Sequence, residues 1–177
     1  MIKGLVYNIK GEWIGLCFKN ELLIANTIPL ETKSEVYRYI GKDCRLISSG
    51  KENKSWFNIA SDIFKLYEGL NVEIRANLYF IDPLSRRVLE EVKKIPRGRV
   101  SSYKHIGLKT DVSPRLVGRI LSKNRYPIIF PCHRVVRSNG ALGGFSYGLK
   151  YKAKLLEREG VKIVKGHISQ WYMMEGT

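Results

Sequence analysis

Asp82-Pro83 divides this chain into two stretches that obey different periodicities. Proline lacks the backbone donor and pushes the residue before it out of the helical region, so a boundary falls there. Ahead of it the apolar residues come in short extended runs at 2–9 ("IKGLVYNI"), 13–18 ("WIGLCF") and 22–27 ("LLIANT"), with Gly11 and Asn20-Glu21 in the turns. Helices are expected around 31–41 and 58–69, separated by the polar "SSGKENKS". Residues 72–80 ("VEIRANLYF") fit an extended or a weakly helical segment.

Beyond the boundary the spacing turns helical. Residues 84–94 put Leu84, Val88, Leu89 and Val92 on one face, and Ile95-Pro96-Arg97-Gly98 ends that helix. A short helix at 102–108, the turn "KTDV" and a second helix "SPRLVGRILSK" follow, with Ser113 as N-cap and Pro114 at the first helical position. Leu116, Val117, Ile120 and Leu121 face inward there, while Arg115, Arg119 and Lys123 face out. Two short helices across a tight turn, the second basic on its outer face, make a helix-turn-helix pattern. Asn139-Gly140 is a hairpin signal that would supply a wing, and a last helix at 149–159 ends at Gly160. The tail "VKIVKGHISQWYMMEGT" shows no assignable pattern. The fold class expected is α/β (α+β) in two domains: 1–83, small and strand-rich, and 84–177, a helical winged helix-turn-helix.

Charge follows the same division. Residues 1–83 hold 11 Lys/Arg against 10 Asp/Glu; residues 84–177 hold 20 against 6. A lysine-rich solvated surface does not explain why the excess stops at the boundary, and a polyanion partner such as nucleic acid does. No apolar run nears the roughly 18 residues of a membrane span, and the N-terminus lacks the long apolar core of a signal peptide. The protein is therefore expected to be cytoplasmic, with no membrane partner. Three cysteines, Cys17, Cys44 and Cys132, are too few for a disulfide framework or a four-ligand zinc site. In a reducing compartment Cys17 and Cys44 are expected as free buried thiols, with a bridge between them the alternative.

The chemistry concentrates in "PIIFPCHRVV", residues 127–136. A reactive thiol needs an adjacent base or cation, and His133 adjoins Cys132. Neighbouring side chains on a strand point to opposite faces, so the pair can cooperate only through a bend or a water; Pro131 favours an irregular backbone there. Residue types alone leave Cys132 as a buried thiol or a nucleophile.

"PCHRVV", preceded by "NRYPIIF" and followed by "GALGGFSYG", resembles the active-site segment of the O6-alkylguanine-DNA alkyltransferases (6-O-methylguanine-DNA methyltransferases). The similarity runs through "IPRGRVSSYKHIG", "SPRLVGRILSKN" and "LLEREG", covering about residues 84–160. Residues 1–83 match in character only, as the domain that family describes as ribonuclease H-like.

The resemblance implies irreversible, single-turnover transfer of an alkyl group from O6-alkylguanine in duplex DNA to Cys132, with O4-alkylthymine a slower substrate. It assigns His133 as a base acting through a water, and Glu159 as the carboxylate orienting it, in the logic of a nucleophile, base and orienter. Asn124 would brace the turn before the cysteine, and Tyr103 would bond the flipped base and donate a proton. Arg115 would enter the duplex as a finger. Gly118 would let backbone approach phosphate, with Arg119, Ser85, Lys104 and Lys123 as weaker phosphate contacts. Val135, Phe145 and Ser146 would border the base; Phe145 stands where the family commonly has tyrosine. No metal or cofactor is implied, and a monomer is expected. The rival readings are a non-catalytic lesion binder, which in the similar alkyltransferase-like proteins lacks the cysteine, and a winged-helix regulator. A cysteine hydrolase lacks any oxyanion-hole signal here.

Overall fold

The structure is a computed structural model and describes residues 2–40, 44, 54–74, 78 and 81–174. It divides into two compact units, residues 1–80 with 125–129, and residues 81–124 with 130–177.

In the first unit β1 (Ile2–Ile9), β2 (Glu12–Lys19) and β3 (Leu22–Asn26) form an antiparallel sheet in the order β1-β2-β3, with Leu5 opposite Leu16 and a register shift after Cys17. The central strand is apolar on both faces because both are covered. α1 (Lys33–Tyr39) closes on one face at Gly15, where a Cβ would lie 2.5 Å from Val36 Cγ1. On the other face α2 (Lys54–Glu68) stacks Trp56 on Phe18, with ring centroids 4.3 Å apart. α1 starts at a reciprocal cap in which the Thr32 hydroxyl accepts from the Glu35 N–H and the Glu35 carboxylate accepts from the Thr32 N–H.

The three predicted strands are found. α2 begins four residues ahead of the predicted 58, and most of 72–80 lies outside the described residues. The expectation of free thiols is corrected: Cys17 and Cys44 are disulfide-bonded, their Cα atoms 6.0 Å apart. The alternative of a bridge holds, with both cysteines buried beside Ile24 and Ile40. Residues 125–129 join this unit through Asn26, whose N–H donates to Arg125 O and whose Nδ2 donates to Pro127 O at 2.8 Å.

The second unit is helical. α3 (Pro83–Lys93) is capped by Asp82, whose carboxylate accepts from the Ser85 N–H, and it buries Val88, Leu89 and Val92. β4 (Ser101–Ser102) leads into α4 (Tyr103–Thr110), capped by Ser102. Asp111, in the left-handed region at φ +53°, turns the chain into α5 (Pro114–Ser122), capped by Ser113 and burying Val117, Ile120 and Leu121. The predicted helix-turn-helix is present. A one-turn 3-10 helix, Cys132–Arg134, precedes β5 (Val135–Val136), and α6 (Leu149–Arg158) ends at Glu159.

The wing differs from expectation. The Asn139-Gly140 turn forms, closed by Arg137 N–H to Ala141 O at 2.8 Å, but β5 is two residues long and pairs in parallel with β4. The tail takes the neighbouring edge: β6 (Ile163–Val164) and β7 (His167–Ile168) form a hairpin, and Ile168 N–H bonds Gly140 O. Ile168 and Met173 then complete a core with Val100, Val136, Leu142, Leu156 and Val161. These tail residues are spread over a hairpin and a turn, so no single period reveals them. Among the described residues no helix is long and apolar enough to cross a membrane.

Candidate active site

Cys132 opens the 3-10 turn, and its N–H bonds Phe130 O at 2.7 Å. This turn, placed by Pro131, supplies the bend that adjoining Cys and His side chains require. Asn124, just past α5, anchors it by donating Nδ2 to Phe130 O at 2.9 Å and to Cys132 Sγ at 3.2 Å. Cys132 is 9% exposed and opens onto a cavity of roughly 850 Å³. Burial pushes its thiol up, while the Asn124 bond and the Lys152 charge pull it down.

His133 is buried and places Nε2 3.0 Å from Glu159 Oε1. Its backbone bonds the Cys132 thiol, and no hydrogen bond joins the imidazole to that thiol among the described interactions. Burial pushes its pKa down against the pull of Glu159, so the imidazole is neutral at neutral pH. Glu159 ends α6, where a negative charge opposes the helix dipole. Its compensation is local: Arg134 Nε lies 2.9 Å from Oε2 and Nη2 2.8 Å from Oε1, with Arg97 Nη1 at 3.9 Å. Burial alone would raise Glu159, yet His133 and Arg134 hold it at about 2. The His133 bond and the two-point Arg134 contact together keep the carboxylate ionised.

Tyr103, the first residue of α4, donates its hydroxyl to Gly144 O at 3.3 Å and lines the cavity. Burial, then the proximity of Cys132, pushes its pKa up, so it stays a proton donor. The ring fits only because residue 143 is glycine: at φ +70° a Cβ would lie 2.9 Å from Tyr103 Cε2. Gly118, Arg115, Lys104, Phe145 and Ser146 also line the cavity, and Ser146 Oγ donates to Ser122 O at 2.9 Å. Val135, expected to border the base, does not line it: it is fully buried in β5, with its carbonyl turned to Lys152. Of the residues expected as phosphate contacts, Ser85 sits in the first turn of α3, and Arg119 and Lys123 are exposed outside the cavity lining.

Lys152 was not anticipated. It is fully buried, its Nζ 2.6 Å from Val135 O, 3.2 Å from Gly144 O and 5.8 Å from the centre of the Tyr103 ring. Burial lowers it to about 8, with Cys132 acting to raise it. In "LKYKAKLLERE" it reads as one solvated lysine among several, but it shares a helical face with Leu155, Leu156 and Glu159, and that spacing was the available signal. Arg134 was likewise missed as the clamp on Glu159.

Two family models match the chain: residues 6–78 fit "Methylated DNA-protein cysteine MeTransferase OGT N-terminal domain", and residues 83–161 fit "6-O-methylguanine DNA methyltransferase, DNA binding domain". The chain is 40% identical to a methylated-DNA–protein-cysteine methyltransferase of Methanocaldococcus vulcanius, over 89% of this chain and 98% of that one. It resembles the crystal structure of O6-methylguanine-DNA methyltransferase from Pyrococcus kodakaraensis, with a TM-score of 0.70 and 26% identity, covering 91% of this chain and 100% of the other. The corresponding Methanococcus jannaschii structure gives a TM-score of 0.64 at 33% identity, over 90% and 95% of the two chains. With both halves matched and the relatives spanned almost end to end, the chain belongs to the methylated-DNA–protein-cysteine methyltransferase family.

Proposed function

We propose that this protein repairs DNA by direct reversal, moving the alkyl group of O6-alkylguanine in duplex DNA onto Cys132 once and irreversibly. The observation that carries the reading is Cys132 Sγ at the wall of a cavity, held by Asn124 and flanked by the buried Lys152 cation.

The alkylated oxygen is stacked inside the duplex, so the nucleotide must rotate out at a cost of a few kcal/mol. Arg115, exposed in the first turn of α5 and lining the cavity, fills the vacated space and offsets part of that cost. The Cys132 proton passes through a water to neutral His133, whose other ring nitrogen is fixed by Glu159. Sulfur then attacks the alkyl carbon, the carbon–oxygen bond breaks, and its electron pair stays on guanine. Tyr103 supplies the proton the leaving base takes up. Among the described residues no second thiol lines the cavity to release the thioether, so each molecule acts once. The acceptor domain is residues 84–177, acting as a monomer in the cytoplasm, and its net positive charge draws the DNA.

Intact mass after incubation with a duplex carrying one methylated guanine tests this. The expected result is a gain of one CH2 on the Cys132 peptide, absent in Cys132→Ala. Unchanged mass with intact DNA binding would make the protein a lesion sensor or regulator instead.

A further inference from the structure

The tail that follows α6 takes no part in the chemistry above. Its hairpin has two unlike faces. Ile163 and Ile168, opposite each other in register, pack on the core of Val161, Leu142 and Met173. Val164 and His167, the next pair, stand on the other face with Lys162, and the 3-10 turn Gln170–Tyr172 sets Trp171 and Tyr172 against them. These residues line a groove of roughly 480 Å³. Among the described residues it shares none with the cavity of Cys132. Ser138 and Asn139, ahead of the Gly140 turn, line that cavity, whereas the hairpin hangs from Gly140 itself through Ile168 N–H.

Trp171 is 76% exposed, where Trp56 of the first unit is 6% exposed. Its backbone is nevertheless fixed. Ser169 Oγ accepts from the Trp171 N–H, Tyr172 O accepts from Val100 N–H at 2.9 Å, and Met174 N–H donates to Val100 O at 2.9 Å. Val100 is fully buried, so the turn that displays the indole is tied to the core. An indole held open on a fixed backbone costs little ordering to cover, as an anchoring site requires. Val164, also exposed, faces the same groove.

The charge around the groove has one sign. Lys162 and Lys165 are exposed, and residues 161–174 contain no Asp or Glu. Apolar walls beside cations fit an acidic chain that also carries a large apolar side chain. A duplex would meet the lysines but has no such side chain to set between Val164 and Trp171. The outer edge of β6 has no strand beside it among the described residues, and a sheet edge offers both N–H and C=O groups to a peptide backbone.

We infer that the tail docks an acidic peptide segment of a partner protein, which seats one aromatic or branched aliphatic side chain between Val164 and Trp171 and sets its carboxylates on Lys162 and Lys165. The site lies outside the alkyl-transfer machinery, and the inference stands apart from that reading. Its contact area is small, so the association is weak and reversible.

Fluorescence anisotropy tests this with labelled peptides of Asp, Glu and Ser that carry one central Phe, Leu or Ala, and with counterparts in which Lys replaces the acids. The full chain should bind the Phe or the Leu peptide saturably, about tenfold or more tightly than the Ala peptide, and leave the Lys counterparts unbound. Trp171→Ala and Val164→Asp should each weaken that binding by about tenfold or more. Replacing Lys162 and Lys165 together by Gln should remove most of its salt dependence. Val164 and Trp171 are exposed, so their variants should keep the parent melting temperature and transfer rate to Cys132. Absence of saturable binding by both the Phe and Leu peptides overturns the inference, as does unchanged affinity in Trp171→Ala. With the peptides unbound, two results reassign the groove. Weaker binding of an unmodified duplex by Trp171→Ala makes it a DNA contact, and a dimer seen in sedimentation that Trp171→Ala abolishes makes it a contact between copies.

Discussion

The guanidinium of Arg134 grips both oxygens of Glu159, Nε at 2.9 Å from Oε2 and Nη2 at 2.8 Å from Oε1, and its Nη1 reaches Ile95 O at 2.6 Å. A carboxylate at the wrong end of a helix dipole is thereby made the fixed point of the site. It orients His133 while remaining charged.

This relationship sets an acid limit on stability. Glu159 sits at about 2 in the folded protein against 4.5 in an unfolded chain, so the unfolded state binds the proton more tightly. The stabilisation is complete above about pH 5, and it is lost as pH falls toward 2. Its size is on the order of 3 kcal/mol. Denaturant midpoints measured across that window should decline in the parent protein and show a flatter acid limb in Glu159→Gln. The same variant should transfer alkyl groups at least tenfold more slowly, since His133 loses its orienting charge.

Lys152 yields an unusual pairing of expectations. Its folded pKa of about 8 lies below the 10.5 of an exposed lysine, so below pH 8 the buried charge costs stability, and that cost fades as pH rises from 8 toward 10.5. Lys152→Met removes the cost but leaves the carbonyls of Val135 and Gly144 without their donor, at about 1 to 3 kcal/mol each. The melting temperature at neutral pH should change little. The Cys132 thiol should titrate higher and react about tenfold more slowly, because the cation that favours its thiolate is gone. Thiol titration followed by ultraviolet absorbance, beside single-turnover kinetics, checks both parts.

Arg115 lines the cavity from the exposed first turn of α5. Arg115→Ala should slow repair of a duplex by tenfold or more and leave reaction with the free alkylated base nearly unchanged. Equal slowing of both substrates would remove Arg115 from base extrusion.

The Cys17–Cys44 bridge closes a loop with a sequence separation of 27. Chain-entropy reasoning puts its contribution at about 3.5 kcal/mol. Cys17→Ser should lower the melting temperature by several degrees, and reductant should have the same effect on the parent protein. Alkyl transfer to Cys132, in the other unit, should persist at temperatures where the variant is folded.

Much of this was legible in one dimension because the physics involved is local. Alternating residues marked β1 to β3, Ser113 and Pro114 started α5, and Pro131 announced a break ahead of Cys132. Resemblance then brought Asn124, Tyr103, His133 and Glu159 together, and the structure gathers them around Cys132. Val135 shows the limit: the resemblance put it at the pocket wall, but in the strand β5, paired with β4, it is fully buried and outside the cavity lining.

What only tertiary structure decided concerns groups whose environment comes from distant segments. Lys152 is buried because β5 and the Gly144 loop offer it carbonyls, and Arg134 is a clamp because α6 ends beside it. Cys44 meets Cys17 where both are buried beside Ile24 and Ile40, and the tail has order because the Gly140 turn presents an edge to β7. Backbone propensity and apolar spacing are carried by neighbours in the chain and can be read along it. Desolvation and charge pairing depend on what lies across space, and they come into being only when the chain has folded.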